Sequence, residues 1–257
     1  MRPAMAKPRI VVLVSLGEHP VSGVARSSRN DTLALALARR LAGGEVDVVH
    51  AGDPAAPALR DYLAQGAAVI EAIDVPPGRD VLEALAEHVR GYDVVLCGTR
   101  SESGAGSGLL PYLLAQALHR PLLPAVLSAE IHAGSIVTQQ WLPKGRRREV
   151  AATLPAVVTM HPLATLDVRY VYARERAGQI VARVPPVVPA PLAALRIEPA
   201  QGRPRKLAAR ESRSGHARLL AAITMESRGG AVITEGSPHE KAQAVIAYLR
   251  THSLIDY

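Results

Sequence analysis

Short apolar runs alternate with segments of helical periodicity from residue 8 to about residue 158. This alternation is typical of parallel βαβ units. The pattern predicts strands at 9–16, 45–52, 69–74, 92–98, 123–134 and 135–142, a further sheet segment at 149–162, and helices at 30–43, 56–67, 78–91 and from the loop after 98 to about 119. The 30–43 helix opens with an Asn/Asp cap and ends at a glycine. The fold class is therefore α/β, with a doubly wound, mostly parallel sheet and antiparallel additions.

The pattern changes after residue 168. Residues 169–195 are charged and then proline-rich, which predicts an extended arm that does not add to the sheet core. The last stretch, 229–257, predicts a strand and an amphipathic helix that starts at a Ser-Pro pair. We therefore expect three parts: a nucleotide-binding-type domain at 1–168, a Pro/Arg-rich arm at 169–228 that clasps a partner, and a segment at 229–257 that packs on the domain or the partner.

The composition is that of a soluble globular protein, with 48% hydrophobic and 21% charged residues. No apolar run approaches the ~20 residues that span a bilayer, and the first apolar run is a strand rather than a signal peptide. We expect a cytoplasmic protein. The single cysteine, Cys97, excludes an internal disulfide and a multi-cysteine metal site, and its apolar setting predicts a packed thiol.

The net charge of +7 raises the question of nucleic acid. The densest basic stretches, 144–149 and 202–213, are short and contain no aromatic residues for base stacking. These stretches are typical of a solvated or partner-facing surface, and we expect no nucleic-acid partner.

A glycine- and serine-rich loop at 98–111, "GTRSESGAGSGLLP", joins a predicted strand to a predicted helix. Backbone N–H groups and the positive helix end can bind a phosphate there, while the same composition also makes a plain turn. The loop lacks the G-x-G-x-x-G spacing and the P-loop lysine, so the residues alone leave both interpretations open. With the loops at 15–20 and 51–57, it lies where open α/β sheets bind ligands.

No catalytic or metal-binding constellation stands out. Ser101, Ser103 and Ser107 do not form a G-x-S-x-G turn, and the nine histidines include no H-x-x-x-H pair. We assign no catalytic acid, base, nucleophile or metal ligand and expect a protein that is not an enzyme. A hydrolase that acts through the loop serines is a third, weaker hypothesis.

Several stretches, in their order and spacing, resemble the beta subunit of electron transfer flavoproteins. The similar stretches are "NDTLALALARRL", "HAGDPAAPALRDYLAQGA", "YDVVLCG", "LPAVVT" at 154–159 and "RY" at 169–170. The resemblance implies a sheet of the adenine-nucleotide α-hydrolase-like type. It also implies an electron carrier in which an alpha subunit holds most of the FAD. Donor dehydrogenases and an electron-accepting quinone oxidoreductase would be the other partners.

The resemblance also implies a set of cofactor-binding positions, which includes a loop that holds a structural AMP in the family. These positions are Leu13, Asn30, Asp31, Ala51, Gly98, Arg100, Ser101, Ser103, Gly104, Ala105, Gly106, Ser107 and Gly108. The family pattern, close to "GRQAIDGDTAQVGP", has acids at positions 103 and 105, Thr at 106 and Gln at 108. Here the side-chain partners are lost and the backbone donors remain, so AMP binding is left open.

A partner-recognition segment follows "RY" in the family, with an apolar "LP-x-I" anchor. This chain continues with "VYARERAG" instead. The implied partner-binding residues are Arg169, Tyr170, Val171, Tyr172, Ala173 and Arg174. Tyr172 and Val171 are the candidates to replace the anchor leucine, and a merely solvated arm is the alternative. The rival function for the whole chain is an adenine-nucleotide-binding module without a redox role.

Overall fold

The computed structural model describes residues 7–19, 21–102, 106–191, 214–216 and 233–251. Its contacts divide the chain into two compact units, Met1–Arg196 and Ile197–Tyr257. The elements of the first unit are β1 (Ile10–Val14), β2 (Leu16–Glu18), β3 (Ala25–Ser27), α1 (Arg29–Ala42), β4 (Asp47–Gly52), α2 (Leu59–Ala64), β5 (Val69–Asp74), α3 (Leu82–Val89), β6 (Val94–Gly98), α4 (Leu110–Ala117), β7 (Leu122–His132), β8 (Ser135–Trp141), β9 (Arg147–Thr153), β10 (Ala156–Met160), α5 (Tyr172–Ala177) and β11 (Gln179–Arg183).

Nine strands form one sheet in the order β11-β5-β4-β1-β6-β10-β7-β8-β9. The first seven of these are joined by parallel pairs, and β7, β8 and β9 by antiparallel pairs. The central strands β1, β6 and β10 are buried at every position, as expected for parallel strands covered on both faces. The predicted doubly wound, mostly parallel sheet with antiparallel additions is confirmed.

Alternate residues of the central strands face two separate cores. Val12 packs with α1 and α2 residues such as Leu35 and Leu63, and Val11 packs with α3 and α4 residues such as Leu85 and Leu114. The chain order leads from β1 outward to β4 and β5, and then returns to β6 on the other side of β1. The topological switch point therefore lies between β1 and β6, where ligands of open α/β sheets bind.

The first helix begins earlier than its sequence predicts. Ser28 is the N-cap of α1, so the predicted Asn/Asp cap is wrong: both residues lie inside the first turn. The cap residue has extended backbone, and the helix starts one residue sooner than predicted, at Arg29. The predicted glycine stop is confirmed, since Gly43 has φ +66° and its N–H reaches the carbonyls of Arg39 and Arg40.

The antiparallel hairpin predicted at 123–142 is confirmed as β7 and β8, with His132 opposite Ser135. The stretch 149–162 forms two strands rather than one. Its first part pairs in antiparallel fashion with β8, with Ser135 opposite Thr153. Its second part, β10, is a central parallel strand between β6 and β7.

The expectation of an extended arm that adds nothing to the sheet is wrong in two places: residues 172–177 are helical, and residues 179–183 join the sheet. Residues 172–177 form α5, and β11 pairs in parallel with β5, with Ile180 opposite Ile70. An ion pair of 2.7 Å between Arg183 and Glu71 also links this edge strand to β5. The proline-rich continuation also lies on the same unit, because Asp80 N–H donates to Ala190 C=O at 2.8 Å.

The second unit contains a helix, Pro238–Thr251. Ser237 and Glu240 form a capping box, in which Ser237 N–H donates to the Glu240 carboxylate at 2.7 Å and Glu240 N–H donates to Ser237 Oγ at 3.3 Å. The predicted Ser-Pro helix start is confirmed. The predicted strand before it and most of the predicted arm up to 228 lie outside the described residues. None of the described helices is long and apolar enough to cross a membrane.

Candidate functional site

The carboxyl ends of β1, β4 and β6 lie side by side, so the loops that follow these strands share one edge of the sheet. The loop after β1 contains a small antiparallel hairpin of β2 and β3, which pairs Leu16 with Ser27. This hairpin was not predicted from the sequence, because its strands have only three residues each. The loop after β6 is the glycine- and serine-rich segment.

Asp31 is the buried centre of this edge. Its carboxylate accepts hydrogen bonds from Ser15 N–H at 2.8 Å, from Ser15 Oγ at 2.6 Å and from Gly98 N–H at 2.8 Å. The side chain therefore ties the end of β1, the start of α1 and the end of β6 together across the switch point. Burial raises the pKa of Asp31 to about 6, against the opposing effect of the Ser15 hydrogen bonds. Because only 3% of Asp31 is exposed, its role at this edge is to hold the neighbouring backbone in place rather than to contact a ligand at the surface.

Gly98 and Asn30 pack directly around this carboxylate. A Cβ at Gly98 would overlap the Asp31 carboxylate and lie 2.8 Å from the Asn30 Cβ, so only glycine fits the close approach of β6 to α1. The Asn30 side-chain amide donates to Thr99 Oγ1 at 3.2 Å. Asn30 thus holds the first residue of the glycine-rich loop.

Glu102 is a residue that the sequence analysis did not single out. Its carboxylate forms an ion pair of 2.7 Å with Arg26 of β3 and accepts a hydrogen bond of 3.2 Å from Arg29 N–H, the first N–H of α1. A Cβ at Gly17 would lie 2.5 Å from the Glu102 carboxylate, so the β2–β3 hairpin approaches it closely. The available signal was that Glu102 is the one acidic residue in the loop 98–111.

The rest of the glycine-rich loop depends on backbone conformations that favour glycine. Gly106 has φ +53° and Gly108 has φ +70°, and a Cβ at Gly108 would lie 3.0 Å from Thr99 O. Ser107 Oγ accepts a hydrogen bond of 3.3 Å from Leu109 N–H just before α4. Arg100 is exposed and Ser101 is partly buried. The predicted positions Ser103, Gly104 and Ala105 lie outside the described residues.

These contacts decide where the edge can accept an anion. At the start of α1 the Glu102 carboxylate accepts the Arg29 N–H, and the Asp31 carboxylate lies in the first turn, so negative side chains already occupy the position where a helix N-terminus attracts an anion. Among the residues of this loop that the structure describes, the exposed Arg100 guanidinium and the backbone of 106–109, which leads into α4, are groups that could bind an anion. The negative charge of Glu102 therefore makes this loop less favourable for a nucleotide phosphate.

The other predicted cofactor positions lie within or close to the strands. Leu13 is buried in β1, and Ala51 is partly buried in β4, where it packs against the same core. His50, next to Ala51, has its Nδ1 2.9 Å from Val14 O, which only accepts, so Nδ1 carries the proton. Burial lowers the pKa of His50 and favours its neutral form. Cys97 is buried as predicted, and burial raises its pKa.

The six predicted partner-binding residues form one short segment that leads into α5. Arg169 pairs with Asp167 at 2.8 Å, and the Tyr170 hydroxyl donates to the Glu175 carboxylate at 3.0 Å. Val171 N–H donates to Ala64 C=O at 2.9 Å, which attaches the segment to α2. The Tyr170 and Tyr172 residues are 58% and 64% exposed. The remaining members, Ala173 and Arg174, lie in α5 and are exposed.

The sequence also raises the questions of metal-binding groups and of the two basic stretches. Within the described parts of the chain, no group of three or more His, Cys, Asp or Glu side chains could hold a metal ion. In the basic stretch 144–149, the Arg148 guanidinium donates to Gln140 Oε1 at 2.7 Å and so belongs to the β8–β9 hairpin. The second basic stretch, 202–213, lies outside the described residues.

Comparisons with known proteins agree with this architecture. A family model described as the electron transfer flavoprotein domain matches residues 22–183. The protein named electron transfer flavoprotein subunit beta from Chromohalobacter salexigens is 36% identical over 263 residues, which cover 99% of this chain and 97% of that protein. The chain therefore belongs to the electron transfer flavoprotein family, and its likeness to a beta subunit extends over nearly its whole length.

Proposed function

We propose that this chain is the beta subunit of a heterodimeric electron carrier. An alpha subunit holds most of the FAD, dehydrogenases donate electrons, and a membrane quinone oxidoreductase or a similar acceptor receives them. The observation that carries the proposal is the likeness to a beta subunit over 99% of the chain. A location in the cytoplasm remains a prediction.

In this proposal the chain contributes a rigid surface rather than reacting groups. FAD supplies the electron-accepting chemistry when bound. Asp31 and Gly98 hold the ends of β1 and β6 in fixed register, and Glu102 fixes the glycine-rich loop to the β2–β3 hairpin. The proposed role needs no catalytic acid, base or nucleophile from this chain.

We further propose that the heterodimer carries FAD without a stoichiometric AMP. The Asp31 and Glu102 carboxylates lie at the start of α1, and the family's acids, Thr and Gln in the loop are replaced here by small residues. Loss of two or three polar contacts at about 0.5–1.5 kcal/mol each lowers affinity by one to several orders of magnitude. Arg100 and the loop backbone are the groups that would hold a phosphate.

The segment 169–174 is proposed to contact the donor dehydrogenase. Tyr172 replaces the family's anchor leucine, because an exposed aromatic ring on a short helix can fill a partner's pocket. The adjacent Val171 is fixed to α2 through its backbone and is less suited to that role.

The test is co-expression of this chain with its larger subunit, followed by denaturation of the purified complex and chromatography of the released nucleotides. We expect one FAD per heterodimer and little AMP. AMP equal to FAD would contradict the proposal for the loop and leave the carrier role intact. A stable monomer without flavin would contradict the carrier role and favour the nucleotide-binding module without redox function.

A further inference from the structure

A small cavity lies between α1, the end of α2 and the segment that leads into α5. Its volume is about 170 Å³. Its polar lining residues are Thr32, Arg39, Gln65, Asp167, Arg169 and Arg174. The cavity is thus rich in arginine, and neither the fold nor the proposed flavin role accounts for that.

Arg39 has an unmet hydrogen-bonding requirement at this cavity. Its Nε is buried and has no hydrogen-bond acceptor among the described residues. The guanidinium lies against Gly66, where a Cβ would come within 2.6 Å of the Arg39 Cζ, and Gly66 has φ +116°. Glycine at this position therefore leaves the room that the guanidinium occupies. A buried N–H of a charged group is destabilising unless an acceptor reaches it.

The other polar groups of the cavity do not supply that acceptor. Thr32 Oγ1 donates to Gln65 Oε1 at 2.8 Å, and Gln65 Nε2 donates to Ser27 Oγ at 2.9 Å. The one carboxylate, Asp167, pairs with Arg169 at 2.8 Å. Within the described residues Arg39 and Arg174 have no ion-pair partner. The cavity therefore carries uncompensated positive charge.

We propose that this cavity binds an oxyanion group, a carboxylate or a phosphate, between Arg39 and Arg174. Guanidinium groups bind such planar or tetrahedral oxyanions through paired N–H donors. The volume suits a single group of this kind, whereas whole small-molecule ligands occupy pockets of about 300–1,000 Å³. The Arg39 Nε–H then gains its missing acceptor.

The position of the cavity joins this inference to the proposed partner segment. Arg169 and Arg174 belong to that segment, and Tyr170 and Tyr172 are exposed beside them. The oxyanion could be free phosphate or a carboxylate side chain of a docking protein. Only the second source rests on the proposed function. Oxyanion binding itself is measurable whether or not the chain carries electrons.

The test uses the full-length chain with ¹⁵N-labelled arginine, and NMR follows the Nε–H signals of Arg39 and Arg174 during titration with inorganic phosphate. A parallel titration uses N-acetyl-triglutamate amide. We expect at least one probe to shift both signals saturably. Saturation by phosphate identifies a free-anion site, and saturation by the peptide alone identifies a protein carboxylate as the occupant.

Variants separate the cavity from general surface charge. Arg39→Gln should weaken binding, read from the Arg174 signal, by about tenfold or more, since a hydrogen bond to a charged group is lost. Arg174→Gln, on an exposed helix position, should weaken binding read from Arg39 without a risk to folding. Arg40→Gln, the exposed neighbour on α1, is the matched control and should leave the affinity unchanged.

Two results would overturn the inference: no saturable shift with either probe, or equal weakening by Arg40→Gln and Arg39→Gln. Its failure is distinguishable from failure of the carrier role. The FAD content of the co-expressed heterodimer reports the carrier role alone, and the arginine signals report the cavity alone.

Discussion

The buried charge of Asp31 should make the stability of the protein depend on pH in a defined direction. Burial raises the pKa of Asp31 from 3.8 to about 6. Between these values the folded state binds more protons than the unfolded state, so the stability that this group contributes is full below pH ~4 and is lost as pH rises through ~6. A shift of about two units corresponds to about 3 kcal/mol in the free energy of unfolding.

Asp31→Asn removes this titration while it keeps the shape of the side chain. The amide cannot accept all three hydrogen bonds from Ser15 and Gly98, so the variant should be less stable at low pH. As pH rises from ~4 to ~7, the stability of the native protein should fall relative to the variant by about 3 kcal/mol. The two curves therefore converge or cross toward neutral pH.

The assay is equilibrium urea unfolding of both proteins over a pH series, followed by fluorescence of Trp141, the single tryptophan of the chain. Asp74→Asn, at an exposed position at the end of β5, controls for the loss of one negative charge. If the stability difference between the native protein and Asp31→Asn stays constant across the pH series, the account of Asp31 as a buried, destabilised charge is wrong.

Three further variants test the other contacts of the site and the sheet edge. Glu102→Gln removes negative charge beside the glycine-rich loop, so AMP affinity in equilibrium dialysis should rise by about tenfold, or ~1.4 kcal/mol; an unchanged affinity would show that Glu102 does not exclude the nucleotide. Gly98→Ala forces a Cβ against Asp31 and should reduce the free energy of unfolding by about 1–3 kcal/mol. A variant as stable as the native protein would contradict the close approach of β6 to α1. Arg183→Gln removes the ion pair between β11 and Glu71, whose pKa Arg183 lowers, and leaves Glu71 only its contact with His88, so hydrogen exchange in β11 should speed up at neutral pH. This last effect should fade as pH falls and Glu71 is protonated, and equal exchange at neutral pH would refute the role of the pair.

The sheet was predictable because its central strands carry a strong local signal. β1, β6 and β10 are apolar at nearly every position, and amphipathic helices separate most of the strands, so the pattern alone predicts a parallel, doubly wound sheet. The edge strand β11 has no such signal. Its five residues include charged and polar ends, and its ion pair joins Arg183 to Glu71, 112 residues earlier in the chain.

The resemblance predicts which positions form the site, and the contacts that their side chains make could not be predicted from the sequence. Asp31 is predicted by resemblance to bind a cofactor, and in the structure its carboxylate is buried and accepts hydrogen bonds from Ser15 and Gly98. Those donors come from the ends of two different strands, and only the folded sheet brings them to one carboxylate. The role of Glu102 could not be predicted either, because its partner Arg26 lies in a hairpin that is too short to recognise from the sequence.

The most direct test of the central claim is whether electrons pass through the heterodimer. The complex of this chain with its larger subunit is reduced under anaerobic conditions, mixed with solubilised membrane quinone oxidoreductase and a quinone, and followed by the visible absorbance of the flavin. We predict rapid reoxidation that requires the oxidoreductase. A complex that contains no flavin would contradict the electron-carrier account, and reduced flavin that is reoxidised no faster with the oxidoreductase than without it would contradict the proposed transfer to a quinone oxidoreductase.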